Sequence, residues 1–208
     1  MKLLVVGDEV SPALERALPG EQFRDVALIL SCGDLPYDYL GYLVDALDVP
    51  LLYVHGNHDR PAETEHGVIA APPGGVNIEG RVVEAKGLLI AGLGGSPRYL
   101  AHGEHQYTER EMRRRVRRLG PALWWNRVRG GQALDILLTH APPRGIHDHE
   151  DPAHQGFHAF LPFMEHHRPR YLIHGHSYPR PGQPNRTRYR DTEVIHVRGH
   201  YLLEVPDA

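Results

Sequence analysis

Residues 51–59 read Leu-Leu-Tyr-Val-His-Gly-Asn-His-Asp. A short run of large apolar residues stops at a glycine, and polar residues that can bind a metal or move a proton follow at once. A bounded apolar run of this length is typical of a strand that is buried on both faces, where the alternation of apolar and polar residues disappears. The segment therefore predicts a buried strand whose carboxyl end carries a functional loop.

The same pattern occurs at four other places. Apolar runs at 3–6, 28–30, 136–138 and 171–173 lead into Gly7-Asp8, Gly33-Asp34, Thr139-His140 and Gly175-His176, respectively. Ligands of an open α/β sheet gather at the carboxyl ends of its strands. We therefore expect the five polar ends to converge on one sheet edge and to form a site.

The segments between these runs predict helices and further strands. Helices are expected at about 11–18, with Ser11 as cap, at about 37–48, after Thr108, where a capping box opens a helix, and near 154–167. Strands are expected at 81–84 and 88–91, and residues 186–205 predict two or three antiparallel strands. This order predicts one α/β domain over residues 1–208, with a sheet that doubles into two layers.

The bulk properties narrow the functional class. The net charge of −3 and the pI near 6.6 argue against a general binder of nucleic acid or of a membrane surface. Cys32 is the one cysteine, which fits a reducing compartment, and no apolar stretch approaches the roughly 20 residues of a membrane span. We expect a soluble, cytoplasmic protein. The 16 histidines add weak support for a metal site.

The candidate ligands are Asp8, Asp34, Asn57, His140 and His176. Carboxylate, amide and imidazole donors without a thiolate suit one or two divalent or trivalent transition-metal ions, namely Mn, Fe, Zn or Ni. Such ions activate water for attack on phosphorus. His58 is expected to act as a general acid or to stabilise phosphate charge, and Asp59 is expected to hold its other ring nitrogen.

These motifs, in this order, resemble those of the calcineurin-like metallophosphoesterases, and Gly56-Asn57-His58-Asp59 is the most specific. The resemblance implies a four-layer α-β-β-α sandwich with two central mixed sheets. It also implies hydrolysis of a phosphomonoester or phosphodiester. Carried over by position, the resemblance implies that Asp34 bridges two metals, that Asp8 belongs to one metal position and that His58 is catalytic. It assigns three residues to the other metal position, namely Asn57, His140 and His176.

Two positions depart from the family pattern. Val10 and Tyr178 stand where the family has histidines, and both histidines would serve the metal position of Asp8. Gly33-Asp34-Leu35-Pro36-Tyr37 also resembles the motif of purple acid phosphatases, in which a tyrosinate binds iron. Tyr37 and, more speculatively, Tyr178 are therefore candidate replacement ligands. The cluster of histidines at 147, 149, 154 and 158 is more simply explained as a polar loop, and one of them is a further candidate ligand.

Two features leave the substrate open. Arg98 follows the turn at 92–96 and is a candidate substrate contact. Six arginines between 110 and 118 suit either a phosphate-facing patch or a solvated helix face. A small-molecule phosphate ester is the favoured substrate and nucleic acid, hence a nuclease, is less favoured. The remaining alternative is a catalytically impaired metal-binding scaffold of the same fold. The oligomeric state stays open.

Overall fold

Two packed sheets organise the chain in the computed structural model, which describes residues 1–18, 20–65, 67–179 and 182–206. The elements in chain order are β1 (Lys2–Gly7), α1 (Pro12–Ala17), a 3-10 turn (Glu21–Phe23), β2 (Val26–Ser31), α2 (Tyr37–Leu47), β3 (Leu51–Tyr53), β4 (Ala62–Thr64), β5 (Gly67–Ile69), β6 (Gly75–Asn77), β7 (Val82–Ala85), β8 (Leu88–Leu93), β9 (Ser96–Pro97), β10 (Gln106–Tyr107), α3 (Glu109–Arg118), α4 (Gly120–Gly130), β11 (Ile136–Thr139), α5 (Phe160–His167), β12 (Tyr171–His174), β13 (Arg186–Tyr189), β14 (Thr192–His196) and β15 (Gly199–Glu204).

The first sheet has five described strands in the order β15-β1-β2-β3-β6. Strands β1, β2, β3 and β6 are parallel, and β15 pairs antiparallel with β1 at one edge. The residues of β1 and β2 are almost entirely buried, as the absence of alternation predicts for strands covered on both faces.

The second sheet has six described strands in the order β13-β14-β12-β11-β8-β7. Strands β8, β11, β12 and β14 are parallel, and β7 and β13 are antiparallel strands at the two edges. All five apolar runs are strands, namely β1, β2, β3, β11 and β12. The expectation of one shared sheet edge is wrong, because three of these strands belong to the first sheet and two to the second.

Three apolar clusters give the layers. One lies between the sheets and includes Leu30, Ile90 and Leu138. A second joins the outer face of the first sheet to α1 and α2, and a third joins the outer face of the second sheet to α3, α4 and α5. The arrangement is α-β-β-α with two central mixed sheets, so the predicted fold class is confirmed.

Local signals in the sequence explain where the helices begin. The Ser11 hydroxyl accepts from the backbone N–H of Leu14, 3.2 Å away, and Thr108 with Glu111 forms the predicted capping box. The helix expected near 154–167 begins only at Phe160. The backbone before it is engaged elsewhere, since the N–H of Phe157 donates to the carbonyl of Pro142 at 3.0 Å.

The polar tail divides between the sheets. Strands β13 and β14 form an antiparallel pair in the second sheet, while β15 crosses to pair with β1 in the first. Within the described part of the chain, no helix has both the length and the apolar character that crossing a membrane requires.

Candidate metal centre

The two sheets bring predicted ligands together at the ends of their strands. Asp34, His140 and His176 each offer a donor atom, and the three atoms lie within 4.8 Å of one another. Oδ2 of Asp34 lies 3.3 Å from Nε2 of His140, and Oδ1 of Asn57 lies 3.0 Å from the same nitrogen. The four residues assigned to one complete metal position therefore form one group, although metal binding by them stays a prediction.

The backbone is strained at the predicted ligands. Asp8, Asp34 and His176 have φ values of 65°, 57° and 66°, in the left-handed region that residues other than glycine rarely adopt. Strain of this kind persists where the surrounding structure enforces it and is concentrated at functional sites. Asp8, Asp34 and His176 each follow a glycine at or just after the end of a strand, namely Gly7, Gly33 and Gly175.

Gly56 allows two loops to touch. A Cβ atom on this residue would lie 1.9 Å from Oδ1 of Asp34, so no larger residue fits while that carboxylate keeps its place. The same oxygen accepts a hydrogen bond from the backbone N–H of His58 at 2.8 Å. The loop after β3 is thereby fixed against the loop after β2.

Backbone carbonyls hold the two histidines by their other ring nitrogens. Nδ1 of His140 lies 2.8 Å from the carbonyl oxygen of Cys32, and Nε2 of His176 lies 2.6 Å from that of Ala153. Histidines that bind metals usually donate their second ring N–H to such a partner, which fixes the ring and its tautomer. The contacts leave Nε2 of His140 and Nδ1 of His176 for a metal.

The charges of the group are strongly coupled. Burial alone would lower the pKa of His140, but the carboxylates of Asp34 and Asp8 raise it to about 9. Burial opposes ionisation of Asp34, yet the neighbouring imidazolium and its hydrogen bond lower the pKa of this carboxyl to about 2. Burial, reinforced by the charge of His140, lowers the pKa of His176 to about 3. These directions favour an ionised Asp34 beside a positively charged His140, an ion pair whose atoms lie 3.3 Å apart.

Asp8 supplies a buried carboxylate with spare capacity. Its Oδ1 accepts from the backbone N–H of His176 at 2.8 Å, whereas its Oδ2 is buried without a hydrogen-bond partner among the described residues. Burial raises the pKa of this carboxyl to about 6, although the positive charge of His140 acts to lower it. Buried polar atoms are normally satisfied, so a buried carboxylate oxygen without a partner among the described residues suits a role in holding a cation. The donor set as a whole fits a transition metal.

The carboxylate of Asp59 contacts two backbone N–H groups. Its Oδ1 accepts from the N–H of Leu35 at 3.2 Å and its Oδ2 from the N–H of Gly56 at 2.8 Å. These contacts differ from the expected one with the ring of His58, and that contact stays a prediction. Backbone N–H groups of the two adjacent turns donate to both carboxylate oxygens. Asp59 is therefore a positioning residue that ties the two loops together.

His58 lies at the open side of the group. Its backbone is fixed by Asp34, and its side chain is exposed. The ring is therefore accessible to a molecule that approaches from solvent, and its catalytic role stays a prediction.

The two candidate tyrosines have contacts outside the group of four ligands. Tyr37 packs in the apolar cluster beneath α2, and burial, reinforced by the charge of Asp59, raises the pKa of its phenol well above the usual value. The role of Tyr37 as a ligand stays a prediction. Tyr178 is 52% exposed, and its ring lies against His154, with centroids 4.9 Å apart, and beneath Arg198. Its role as a ligand is untested.

Arg98 turns away from the candidate ligands. Its guanidinium pairs with Glu111 at 3.0 Å and donates to the carbonyl of Gln106 at 3.2 Å. It lines a cavity of about 580 Å³ with Tyr107 and three arginines of α3, and none of the predicted ligands is among the described lining residues. The structure gives the expected substrate contact no support.

The next residue reaches the group instead. The hydroxyl of Tyr99 accepts from Nδ2 of Asn57 at 3.1 Å, which orients Oδ1 of Asn57 towards His140. No motif marks Tyr99, and the pair is separated by 42 residues, so the sequence carries no signal for it.

The proposed histidine cluster divides into two parts. His154 lies near the group, with its ring centroid 5.4 Å from that of His176, and its Nδ1 lies 2.8 Å from Asp151. His147 is buried against His174, with ring nitrogens 3.0 Å apart. A ligand role for His154 stays a prediction.

Comparison with known proteins agrees with this geometry. The family model of calcineurin-like phosphoesterases matches residues 1–180, so the chain belongs to the calcineurin-like phosphoesterase family, which comprises metal-dependent phosphoesterases. Membership supports a hydrolase that binds metal. No curated protein matches the sequence.

Two solved structures share the fold. One has a TM-score of 0.64 at 14% identity and covers 97% of this chain and 94% of its own. The other is TT1561 of Thermus thermophilus, with a TM-score of 0.55 at 17% identity over 94% of this chain and 88% of its own. At such identities the likeness concerns the fold alone.

Proposed function

We propose that the protein hydrolyses a small phosphate ester at a metal ion held by Asp34, Asn57, His140 and His176. The observation that carries the proposal is the meeting of donor atoms within 4.8 Å, from strands of both sheets, with each histidine fixed by a backbone carbonyl. When bound, a transition-metal ion supplies activation of water and of the phosphoryl oxygen.

His58 is the proposed proton donor to the leaving oxygen. Its backbone is anchored to Asp34 at 2.8 Å, so the exposed ring lies at the rim of the group on the side that a substrate reaches. A positioned general acid typically contributes about 10²–10⁴-fold to a rate. Asp59 keeps the loop in place through the amides of Leu35 and Gly56.

The second metal position has few donor residues, which favours one tightly held ion at the complete position. Val10 packs against the apolar cluster of the first sheet, and Tyr178 points its ring at His154 and Arg198. Asp8 and the shared Asp34 are the remaining donors at that position. We therefore propose one tightly bound Mn, Fe, Zn or Ni ion at the complete position and, at most, a weakly bound second ion beside Asp8.

The depleted position also favours a second candidate function. A protein of this fold that binds metal without turnover has no need of the second ion, and such a scaffold would retain Asp34, Asn57, His140 and His176. The nuclease alternative depends on the arginines of α3, but Arg113 pairs with Glu109 and Arg115 with Glu79. Nucleic-acid cleavage is therefore the least supported of the three.

The experiment compares wild type with His58→Ala after loading with Mn²⁺, using p-nitrophenyl phosphate and bis-p-nitrophenyl phosphate. We expect turnover of at least one substrate by wild type and a fall in kcat of about 100-fold or more in the variant. His166→Ala, an exposed histidine on α5, is the matched control and should keep wild-type activity. Equal kcat in His58→Ala contradicts the role of His58, and metal binding without turnover in wild type selects the scaffold.

A further inference from the structure

A second group of metal-binding side chains lies apart from the candidate centre. His55, Glu79 and His105 each offer a donor atom, and the three atoms lie within 4.8 Å of one another. His55 precedes Gly56, Glu79 follows β6, and His105 precedes β10. None of the three is a ligand of the centre described above, and the family motifs do not include them.

The imidazole rings of His55 and His105 stack face to face. Their ring centroids lie 4.5 Å apart with an interplanar angle of 11°, so the rings are stacked nearly parallel. Oε1 of Glu79 lies 3.5 Å from Nδ1 of His55, and the side chains of both residues are 18% exposed. His55 and Glu79 are therefore partly open to solvent, and one donor atom of each of the three residues lies within 4.8 Å of the others.

A glycine-rich turn after β8 holds both histidines by the backbone. The N–H of Gly95 donates to the carbonyl of His55 at 2.7 Å, and the N–H of Ser96 donates to that of His105 at 3.0 Å. A Cβ atom on Gly94 would lie 2.1 Å from Oε1 of Glu79, so this turn closes around the carboxylate only with glycine there.

Arg115 orients the carboxylate from the other side. Its Nη2 lies 3.0 Å from Oε2 of Glu79, and its Nη1 donates to the carbonyl of Gly94 at 2.9 Å. Oε1 is left on the side of the histidines, an arrangement that matches the outer contacts of metal-binding carboxylates. The guanidinium offsets the charge of Glu79, so hard cations such as Mg²⁺ gain little here. An ion that bonds well to imidazole nitrogen fits the group better.

We propose that His55, Glu79 and His105 form a second metal site that takes a borderline divalent cation such as Zn²⁺. An ion there ties the loop between β9 and β10 to the end of β3, two residues before Asn57. The site differs from the candidate centre in every ligand, so its occupancy is independent of the proposed hydrolysis.

The test measures zinc content. Chelator-stripped protein is incubated with Zn²⁺, dialysed and analysed by mass spectrometry for wild type, His105→Ala and Glu79→Gln. We expect each variant to bind one equivalent of zinc per chain fewer than wild type. His102→Ala is the matched control, because His102 is an exposed histidine three residues earlier in the same loop and is outside the group. Mg²⁺ in place of Zn²⁺ should not occupy the site.

Unchanged zinc content in His105→Ala overturns the proposal, and His105→Ala decides alone if Glu79→Gln fails to fold. His140→Ala, measured in parallel, keeps the two sites distinguishable. Zinc lost in His140→Ala but not in His105→Ala removes the second site and leaves the proposed centre intact. Zinc lost in His105→Ala but not in His140→Ala supports the second site and contradicts the proposed centre.

Discussion

Oδ1 of Asn57 lies 3.0 Å from Nε2 of His140, although 83 residues separate them in the chain and they belong to different sheets. Asn57 follows β3 and His140 follows β11, so the contact exists only because the two sheets pack face to face with these strand ends on the same side. The contact joins the two halves of the candidate centre.

Tyr99 should support this contact. Replacement by phenylalanine removes the hydroxyl that accepts from Nδ2 of Asn57 at 3.1 Å and leaves the amide free to rotate. We expect Tyr99→Phe to weaken binding of the metal about tenfold or more, as is usual for the loss of an outer contact of a ligand. Competition with a chromophoric chelator measures the affinity. Tyr42→Phe, at a tyrosine that is 43% exposed on α2, should keep the wild-type value, and equal affinities for all three proteins would argue against the orienting role.

Asp59 should matter for stability as well as for activity. Asp59→Ala leaves two backbone N–H groups, those of Leu35 and Gly56, without their acceptor. We expect a loss of roughly 2–4 kcal/mol in the free energy of unfolding, measured with urea in the presence of EDTA so that metal does not contribute. Asp45→Ala, at an exposed aspartate on α2, should change stability by less than about 0.5 kcal/mol. Wild-type stability in Asp59→Ala would show that the carboxylate does not hold the loops.

Acid should destabilise the fold through buried neutral histidines. Burial, with the nearby charge of His196, lowers the pKa of His147 to about 4, whereas an unfolded histidine titrates near ~6.5. Between these values the unfolded chain binds the extra proton, so stability is present above pH ~6.5 and is lost as the pH falls towards 4. Asp8, whose pKa is raised, acts in the opposite sense, so the contribution of His147 is read from a variant.

The measurement is the free energy of unfolding between pH 7 and pH 4.5, again in EDTA. His147→Gln should reduce the slope of stability against pH by about 1 kcal/mol per pH unit within the window. His102→Gln should leave the slope unchanged, because His102 is exposed. Identical slopes in wild type and His147→Gln would mean that His147 does not stay neutral in the folded protein.

The sequence predicted the strands and the candidate ligands at their ends because both signals are local. An apolar run such as Leu3–Val6 has to be buried on both faces, and a glycine before Asp34 or His176 marks a sharp turn. The division into two sheets depends on packing between distant strands, which no local pattern records. For the same reason the sequence carried no sign of Tyr99 beside Asn57.

The direction of a side chain is another property that the local sequence does not record. Asp59 neighbours His58 in the chain, which suggested a pair, but its oxygens are used by the amides of Leu35 and Gly56. Arg98 follows the turn at 92–96, yet it forms an ion pair with Glu111 and lines a separate cavity. Competing partners from other elements decide such cases, and they become visible only in the folded chain.

The central claim is that one cation binds between Asp34, Asn57, His140 and His176. An anomalous difference map from crystals of the protein grown with Mn²⁺ tests it most directly. We predict a peak within roughly 2.0–2.3 Å of Oδ2 of Asp34, Oδ1 of Asn57, Nε2 of His140 and a ring nitrogen of His176, at ordinary coordination distances. A map from crystals grown with Mn²⁺ that shows no anomalous peak among these four side chains would contradict the account.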